Sequence, residues 1–326
     1  MATGAKNILV TGGAGFIGSN LVEALLKDNR VGKVRVLDNL STGSLHNLEA
    51  FFENPQFEFL EGDIRDYATC LKACENIDLI THQAALGSVS RSINDPLTTN
   101  AVNITGTLNI LMAAKEQHIS RVIYAASSST YGDHPDLPKI EENIGNPLSP
   151  YAVTKYVGEL YAQVFYTAYG LNTIGLRYFN IFGPKQSPNG AYAAVIPLFI
   201  QCILDNKQPT INGDGAHSRD FTYVENAVNA NILALFTDNT AALNQVYNVA
   251  CNERVSLNQL WQYLQEIKGS NLTPIYGGER KGDVKNSLAS IDKIKMHLGY
   301  TPSVKIKEGL VKTMAAQEKI LHEKIS

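Results

Sequence analysis

The chain has 326 residues, which is enough for one large domain or two modest domains with a full hydrophobic core. Hydrophobic residues make up 44% of the sequence and charged residues 18%, as is typical of a soluble globular protein. The formal net charge of −3 leaves no broad basic surface, so we expect no nucleic-acid partner.

Three features of the sequence argue against a metal site, a membrane-spanning segment and secretion. The seven histidines are scattered without metal-ligand spacing, so we predict no metal. The most apolar run, 191–204, is too short to span a bilayer. Lys6 leads directly into a predicted strand without room for a signal peptide, so we expect a cytoplasmic protein without membrane contact. Four cysteines lack zinc spacing and are expected to be reduced packing residues: Cys70, Cys74, Cys202 and Cys251.

The first predicted element is a strand that runs through a glycine turn into a helix. Residues 7–11 are apolar, the sequence GGAGFIG follows, and a helical pattern continues to about residue 27. Gly12 permits a tight turn, Gly15 permits a pyrophosphate to approach the backbone, and Gly18 permits close helix packing. The spacing is G-x-x-G-x-x-G. This context predicts a dinucleotide-binding turn.

The second predicted strand, 34–37, ends at Asp38, twenty residues after Gly18. A carboxylate at this position accepts hydrogen bonds from the adenosine ribose and repels a 2′-phosphate. The sequence therefore favours NAD over NADP.

Strands and helices continue to alternate up to about residue 126. Strands are predicted at 57–60, 78–82 and 121–126, and a helix over about 99–117. This alternation predicts a parallel sheet with helices on both faces. Small residues at Ala84 and Ala85 suit a strand end crossed by a cofactor, although ordinary packing also tolerates them. Asn103 is either solvated or a polar brace, and the pattern does not separate the two.

Three hydroxyl side chains follow the strand at 121–126. Ser127, Ser128 and Ser129 lie where open α/β sheets bind ligands, and a serine there can relay a proton. A serine-rich turn without function is the alternative.

The next predicted helix begins at the N-cap Ser149 and carries Tyr151 and Lys155 on one face, about 6 Å apart along the axis. A lysine ammonium favours a nearby phenolate, and a cationic nicotinamide ring favours it further. Lowering the phenol pKa from about 10 to about 7 requires about 4 kcal/mol, which needs a shielded site. Alone, the Y-x-x-x-K spacing is common, and simple packing of Tyr151 with a solvated Lys155 explains it equally well.

After a sixth strand at 171–178 the pattern becomes rich in loops. Helices are predicted at 193–204, 224–236, 256–267, 290–298 and from 305 onward, a short strand at 246–250, and a turn at 210–215. We predict an α/β fold with a Rossmann-type doubly wound parallel sheet over 1–179. Residues 180–326 are expected to form mostly a smaller α/β substrate domain, with about 217–250 returning to the sheet.

Several motifs now agree. TGGAGFIG at 11–18, Asp38, Ser127 and YAVTK at 151–155 together resemble the extended short-chain dehydrogenase/reductase family, whose own form of the glycine motif is G-x-x-G-x-x-G. Within it the chain resembles nucleotide-sugar 4-epimerases, most closely the bacterial UDP-N-acetylglucosamine 4-epimerase type of surface-polysaccharide synthesis. The closer match rests on these stretches: 85–96, 125–135, 176–184, 189–197 and 211–221.

The resemblance implies C4 epimerisation of a UDP-sugar with tightly held NAD. Tyr151 as a phenolate would take the proton of the C4 hydroxyl, directly or through Ser127, while the C4 hydride passes to NAD. The 4-ketose then turns about its diphosphate link and receives the hydride on its other face. Lys155 would lower the pKa of Tyr151 and hold the nicotinamide ribose.

The resemblance also implies binding roles for individual residues. The expected cofactor contacts are Gly12, Gly15, Phe16, Ile17, Asp38, Asn39, Thr42, Gly43, Asp63, Ile64, Gln83, Ala84, Ala85, Asn103, Tyr151, Lys155 and Tyr178. The expected substrate contacts are Arg219, Arg280 and Asn180 for the diphosphate, Ala194, Val195, Ile211 and Asn212 for uridine, and Gly87, Ser88, Ser127, Ser128, Ser129, Tyr151, Asp283 and Ser287 for the remainder, mainly the sugar. Surface ion pairs are the alternative for each arginine.

Substrate size and the reaction remain open to alternatives. Ser287 aligns with a site where epimerases of non-acetylated sugars carry tyrosine, which favours UDP-GlcNAc and UDP-GalNAc over UDP-glucose and UDP-galactose. Uronic acid forms are also compatible, and Arg91 is a candidate contact for their carboxylate. A 4,6-dehydratase is less favoured, because Ser128 and Ser129 replace the required carboxylates. A non-catalytic NAD-binding protein is the third alternative. The resemblance further implies a homodimer through helices near 99–117 and 150–168.

Overall fold

A parallel sheet forms the centre of the molecule in a computed structural model that describes residues 4–189, 193–278 and 286–325. The strands are β1 (Lys6–Thr11), β2 (Val31–Asp38), β3 (Phe57–Glu61), β4 (Leu79–His82), β5 (Arg121–Ser127), β6 (Thr173–Tyr178), β7 (Ile181–Phe182), β8 (Thr210–Asn212), β9 (Ser218–Arg219), β10 (Thr222–Tyr223), β11 (Gln245–Val249), β12 (Val255–Ser256) and β13 (Ile275–Gly277). The helices are α1 (Phe16–Leu25), α2 (Tyr67–Ala73), α3 (Val89–Asn94), α4 (Pro96–Asn100), α5 (Gly106–Glu116), α6 (Pro150–Tyr169), α7 (Val195–Leu204), α8 (Val224–Phe236), α9 (Leu257–Lys268), α10 (Asp292–Leu298) and α11 (Ile306–Ile325).

Seven strands pair in parallel in the order β11-β6-β5-β4-β1-β2-β3. Parallel strands are covered by helices on both faces and are therefore apolar along their length. All six residues of β6 are buried, as are all four of β4. The predicted Rossmann-type doubly wound sheet is confirmed.

The two faces of the sheet have separate cores. Val10 and Leu176 pack on one face with Ala227 and Ala230 of α8. Leu9 and Val122 point to the other face, because neighbouring residues of a strand alternate, and pack there with residues of α2, α5 and α6. A fully buried leucine, valine or isoleucine contributes about 1.5–3 kcal/mol. These two cores fix the strands whose carboxyl ends carry the site.

Residues after β6 form a smaller part held by short strand pairs. β7 pairs with β10, β8 with β13, and β9 with β12. Phe199 of α7 and Trp261 of α9 pack edge to face with ring centroids 5.5 Å apart. By contrast, α8 packs against β4, β5 and β6, and β11 pairs with β6. Part of the predicted returning segment, 224–249, thus belongs to the main sheet, while the domain boundary at residue 179 stays a prediction.

Two local predictions differ from the structure. The segment predicted as a turn at 210–215 begins with β8, because Ile211 pairs with Tyr276 far along the chain. The helix predicted over 99–117 consists of α4, a π-helical turn at Ala101–Thr105 and α5. Such π turns often mark functional positions.

Within the described residues, no helix has the length and apolar character needed to cross a membrane.

Candidate active site

A cavity of about 510 Å³ opens at the carboxyl ends of the central strands. This is the edge of a doubly wound sheet where ligands bind. The predicted residues that line it are Gly12, Gly15, Phe16, Ile17, Asp38, Asn39, Thr42, Asp63, Ile64, Gln83, Ala84, Ala85, Gly87, Ser88, Ser127, Ser128, Tyr151, Lys155, Tyr178 and Asn180. The structure therefore brings most of the predicted cofactor residues and part of the predicted substrate residues to one place.

The glycine turn between β1 and α1 leaves no room for side chains. Gly12 has φ of 70°, and a Cβ there would lie 2.6 Å from the backbone nitrogen of Ala84. A Cβ on Gly18 would lie 2.1 Å from the carbonyl oxygen of Gly12. A side chain would therefore clash with the backbone at either position, and only glycine fits. Without side chains here, the backbone of the turn and the start of α1 face the cavity directly.

Asp38 ends β2 with its carboxylate anchored by the backbone. One oxygen accepts a hydrogen bond from the Ala14 amide at 2.9 Å and the other from the Leu40 amide at 2.8 Å. Burial raises the pKa of Asp38, and these two bonds oppose the effect. The carboxyl group lines the cavity, in the position expected of a group that binds ribose hydroxyls.

Asp63 and Asn39 form a second polar pair on the same wall. Asn39 donates to the Asp63 carboxylate at 2.8 Å. Hydrogen bonds from Arg65 lower the pKa of Asp63 to about 2, against a smaller opposing effect of burial. Asp63 is therefore ionised at neutral pH.

Tyr151 and Lys155 reach the cavity from the first two turns of α6. Ser149 caps this helix by accepting from the Ala152 amide at 3.2 Å, and Pro150 occupies the first turn. The Lys155 ammonium donates to the carbonyl oxygen of Ala125 at 2.8 Å and lies 5.9 Å from the centre of the Tyr151 ring.

Burial dominates the pKa values of both members of this pair. Burial raises the pKa of Tyr151, and its contact with the Ser127 hydroxyl lowers it in part. Burial also lowers the pKa of Lys155 to about 8, with Glu159 opposing the shift. Burial is thus the larger of the two influences on the pKa of Tyr151, and the Ser127 hydroxyl is the group that opposes it. Tyr151 in this environment is a neutral phenol, and a phenolate needs further positive charge.

Ser127 ends β5 directly beside the phenol. Its side chain is 8% exposed, and it accepts hydrogen bonds from the amide and the hydroxyl of Ser129, the latter at 2.9 Å. The Ser127 hydroxyl is therefore fixed by the following turn, in contact with Tyr151.

Two predicted cofactor residues lie behind the lining. A Cβ on Gly43 would lie 2.9 Å from that of Ala14, so Gly43 permits close packing of the loop after β2. Asn103 is a brace: its oxygen accepts from the Leu86 amide, and its nitrogen donates to the Leu86 carbonyl and to the Thr154 hydroxyl. The alternative of a solvated Asn103 is excluded, because the residue is buried.

The other predicted substrate residues that the structure describes lie outside the lining. Ser129 supports Ser127, and the Ser287 hydroxyl accepts from Asn180 Nδ2 and from the Asp220 amide, both at 3.3 Å. Five lie on α7, β8 and β9 or at their ends, and Arg280 and Asp283 fall outside the described residues; the five are Ala194, Val195, Ile211, Asn212 and Arg219.

Comparison of the chain with known proteins identifies its family. Residues 8–250 match the model of the NAD dependent epimerase/dehydratase family. The chain belongs to this family. NAD is accordingly its cofactor, as the sequence predicted.

Individual relatives of this epimerase/dehydratase family are similar along nearly the whole chain. A putative UDP-glucose 4-epimerase of Methanocaldococcus jannaschii is 38% identical over 93% of this chain and 95% of its own length. The structure of a UDP-N-acetylglucosamine 4-epimerase from Methanobrevibacter ruminantium, in complex with UDP-N-acetylmuramic acid, has a TM-score of 0.92 at 40% identity, covering 98% of this chain and 100% of that one. A Thermotoga maritima UDP-glucose 4-epimerase with UDP-glucose has a TM-score of 0.90 at 36% identity, covering 97% and 99%.

Sequence reasoning missed several lining residues of this family member. Most directly adjoin a predicted residue, so their places at the strand ends were the available signal. Gln186 is different: its Nε2 donates to the Ile181 carbonyl, while its buried Oε1 has no hydrogen-bond partner among the described residues. The lining residues without a predicted site role are Gly18, Leu37, Ser41, Gly62, Leu86, Val102, Ala125, Ala126, Ile181 and Gln186.

Proposed function

We propose that the chain is a UDP-sugar 4-epimerase that interconverts UDP-GlcNAc and UDP-GalNAc, with surface-polysaccharide synthesis as the use of the product. The observation that carries the reaction is the meeting of Tyr151, Ser127 and Lys155 in one cavity beside the glycine turn. The similarity to UDP-sugar 4-epimerases at 36–40% identity supports the same reaction class.

The residues present fit NAD. The turn at Gly12 and Gly18 forms a cradle that a Cβ would fill, which suits a pyrophosphate against the backbone. Asp38 supplies ribose acceptors, and the orphaned Oε1 of Gln186 offers one more acceptor to a bound hydroxyl. Gly12, Gly15, Asp38 and Lys155 would therefore hold the cofactor.

Tyr151 is the proton acceptor for the sugar C4 hydroxyl in this mechanism. Ser127 touches the phenol and is positioned to pass the proton between the hydroxyl and Tyr151. Lys155, held by the Ala125 carbonyl, keeps a positive charge near the phenol. When bound, NAD supplies reversible hydride acceptance, and its positive ring favours the phenolate that burial of Tyr151 alone disfavours.

The acetamido preference rests on Ser287. Its small side chain is tied to Asn180, a cavity residue, and to the Asp220 amide. A serine here leaves more room than the tyrosine expected of epimerases for non-acetylated sugars. Ser287 thus supports UDP-GlcNAc over UDP-glucose, while UDP-GlcNAcA remains compatible.

Exposed apolar residues support a homodimer. Val153, Leu160 and Val164 lie on one stripe of α6, since they are seven and four residues apart, and each is about half exposed. Leu97 lies on α4, which packs against α6, and is 82% exposed. We propose that a second copy covers these residues, and that Leu160→Glu yields a monomer in sedimentation.

The experiment is sugar-product analysis with UDP-GlcNAc, UDP-glucose and UDP-GlcNAcA in parallel, without added NAD. We expect UDP-GalNAc to form fastest. Tyr151→Phe removes the proton acceptor and should slow conversion about 10³-fold while the fold and bound NAD persist. Preference for UDP-glucose would move the proposal to the UDP-glucose/UDP-galactose pair. A 4-keto-6-deoxy product would replace it by a dehydratase, and full folding without any turnover by a non-catalytic NAD-binding protein.

A further inference from the structure

Four polar side chains close a hydrogen-bonded ring behind the cavity. Asn231 Nδ2 donates to the Tyr178 hydroxyl at 2.7 Å, and that hydroxyl donates to Gln83 Oε1 at 3.1 Å. Gln83 Nε2 donates to the Thr81 hydroxyl at 2.9 Å and to Asn231 Oδ1 at 3.1 Å. Thr81 donates to Asn231 Oδ1 at 3.1 Å, which closes the ring.

Almost every donor and acceptor of the ring is used within it. The side-chain amide of Asn231 also donates a hydrogen bond to the Ala227 carbonyl of its own helix at 2.8 Å. Its oxygen accepts hydrogen bonds from Thr81 and Gln83. Both N–H groups of Gln83 and the O–H group of Tyr178 are also taken. The ring therefore holds Gln83 and Tyr178 in one orientation, because any rotation leaves a buried polar group unpaired.

Two members of the ring line the cavity and two do not. Gln83 and Tyr178 belong to the lining, whereas Thr81 and Asn231 are fully buried behind them. Asn231 lies on α8, which packs on the sheet face opposite to the one that α6 covers. The ring thus backs one wall of the cavity from outside it.

Strand order places this wall at the reacting end of the site. Tyr178 ends β6 beside Ser127 in register, and Gln83 follows β4, so the two flank β5. Asp38 ends β2, three strands from β5, a separation of about 14 Å at the usual strand spacing. The wall is therefore near Ser127, and remote from the carboxylate that suits the adenosine ribose.

Tyr178 acts as a wall residue and not as a second base. Its hydroxyl proton is committed to Gln83, and burial raises its pKa to about 12. What it offers the cavity is a rigid aromatic surface.

We propose that Asn231 is a positioning residue for the nicotinamide end of the cofactor, acting through Tyr178 and Gln83 from outside the cavity. The inference rests on the proposed function only in placing that end beside Ser127 and Tyr151. It predicts that loss of Asn231 weakens binding of the nicotinamide end and spares the adenosine end.

The test compares titrations of NAD and of ADP-ribose, which lacks nicotinamide, into the full chain freed of bound nucleotide. Asn231→Leu should weaken NAD binding about tenfold and ADP-ribose binding less than about twofold, because unpaired buried groups free the wall to move. The matched control is Asn226→Leu on the same helix. Asn226 is equally buried but bonds to Ser303 and Val304 instead of the ring, so both ligands should bind as in the unchanged chain.

Asn231→Leu should also add little in the Tyr178→Phe background, because the phenylalanine has already opened the ring. Equal weakening of both ligands, no weakening, or additive effects of the two changes would overturn the proposal. If Asn231→Leu does not melt cooperatively, Thr81→Val takes its place, with an expected loss of about two- to threefold for NAD alone. Neither titration uses a UDP-sugar substrate. The outcome therefore does not depend on the epimerase assay, and failure of the positioning role can be distinguished from failure of the proposed function.

Discussion

The cofactor side of the cavity and its substrate side are held together by different means. On the cofactor side, the ends of β1, β2, β4, β5 and β6 meet because five neighbouring strands are in fixed register. On the substrate side, strand pairs of two or three residues join segments that are far apart in the chain, such as β8 with β13. Backbone pairing therefore positions the first side, and individual side chains must position much of the second.

Asp220 shows how such a side chain works. It is fully buried just after β9, and its carboxylate accepts from the backbone amides of Cys251 at 2.9 Å and Ala289 at 3.3 Å. Its own backbone contacts Asn180 and Ser287. One carboxylate thus gathers segments that no long strand connects, whereas the cofactor side distributes the same task over a sheet.

The largest expected effect concerns a buried ion pair that anchors α6 to the sheet. Arg177 of β6 binds Glu159 through two hydrogen bonds, 2.9 and 2.7 Å, with both side chains at most 6% exposed. Arg177→Met leaves a buried carboxylate unpaired, so we expect a loss of about 3–5 kcal/mol in the free energy of unfolding. Urea denaturation measures it.

The matched change on the substrate side is Lys307→Met, which breaks an exposed pair with Glu266. That loss should stay below about 1 kcal/mol, because solvent screens both charges. Equal losses for the two variants would show that the sheet side does not depend on its buried pair.

The same contrast explains what could be predicted from the sequence. The cofactor lining followed from local motifs, because the glycine turn and Asp38 each end a strand whose neighbours are set by the parallel topology. Ser127 and Tyr151 followed likewise. Asn231 had no such signal: it acts on Gln83 across 148 residues, and a lone asparagine in a helix has no typical spacing. Nor does local pattern reveal β8, because Thr210–Asn212 needs its partner at Ile275–Gly277 to become a strand. The degree to which burial raises the pKa of Tyr151 had no signal in the sequence either, because burial depends on the whole fold.

Two buried titratable groups, one on each side, should give opposite pH dependences. His82 ends β4 between the hydroxyls of Thr11 and Thr107, and burial lowers its pKa from 6.5 to about 3. Below about pH 6.5 the unfolded chain binds a proton that the folded chain refuses. The contribution of His82 to the free energy of unfolding is therefore complete above that pH. It decreases as the pH falls, by about 2 kcal/mol between pH 6.5 and 5.

Asp220 has the reverse sign. Burial raises its pKa from 3.8 to about 7, so the folded chain keeps a proton that the unfolded chain releases above about pH 4. Stability from Asp220 is present at low pH and is lost as pH rises toward 7, again by about 2 kcal/mol between pH 5 and 6.5. The two effects largely cancel in the unchanged chain.

Single variants should separate them in urea titrations at about pH 5 and about pH 6.5. His82→Gln keeps a donor and an acceptor for the two threonines but cannot titrate, so its stability should fall as pH rises. Asp220→Asn should be less stable throughout, yet its stability should increase with pH. Parallel pH profiles for the two variants would contradict the assignment of opposite signs.

The smallest effect compares two helix caps of the same kind. Ser149 caps α6 on the catalytic side, and Ser256 caps α9 on the substrate side within a capping box with Gln259. Serine to alanine should cost about 1 kcal/mol in either case, because one amide at the helix start loses its acceptor. The stability losses should therefore be alike and easily measured together by urea denaturation.

Activity should distinguish the two caps even so. The first turn of α6 carries Tyr151, so fraying after Ser149→Ala moves the proton acceptor and should lower turnover severalfold. The first turn of α9 carries no residue that lines the cavity, so Ser256→Ala should leave turnover unchanged at temperatures where both variants are folded. Equal turnover in both variants would mean that the contacts of Tyr151 and Lys155 with β5, and not the cap, hold the start of α6. The Lys155 bond to Ala125 would then be the next contact to remove.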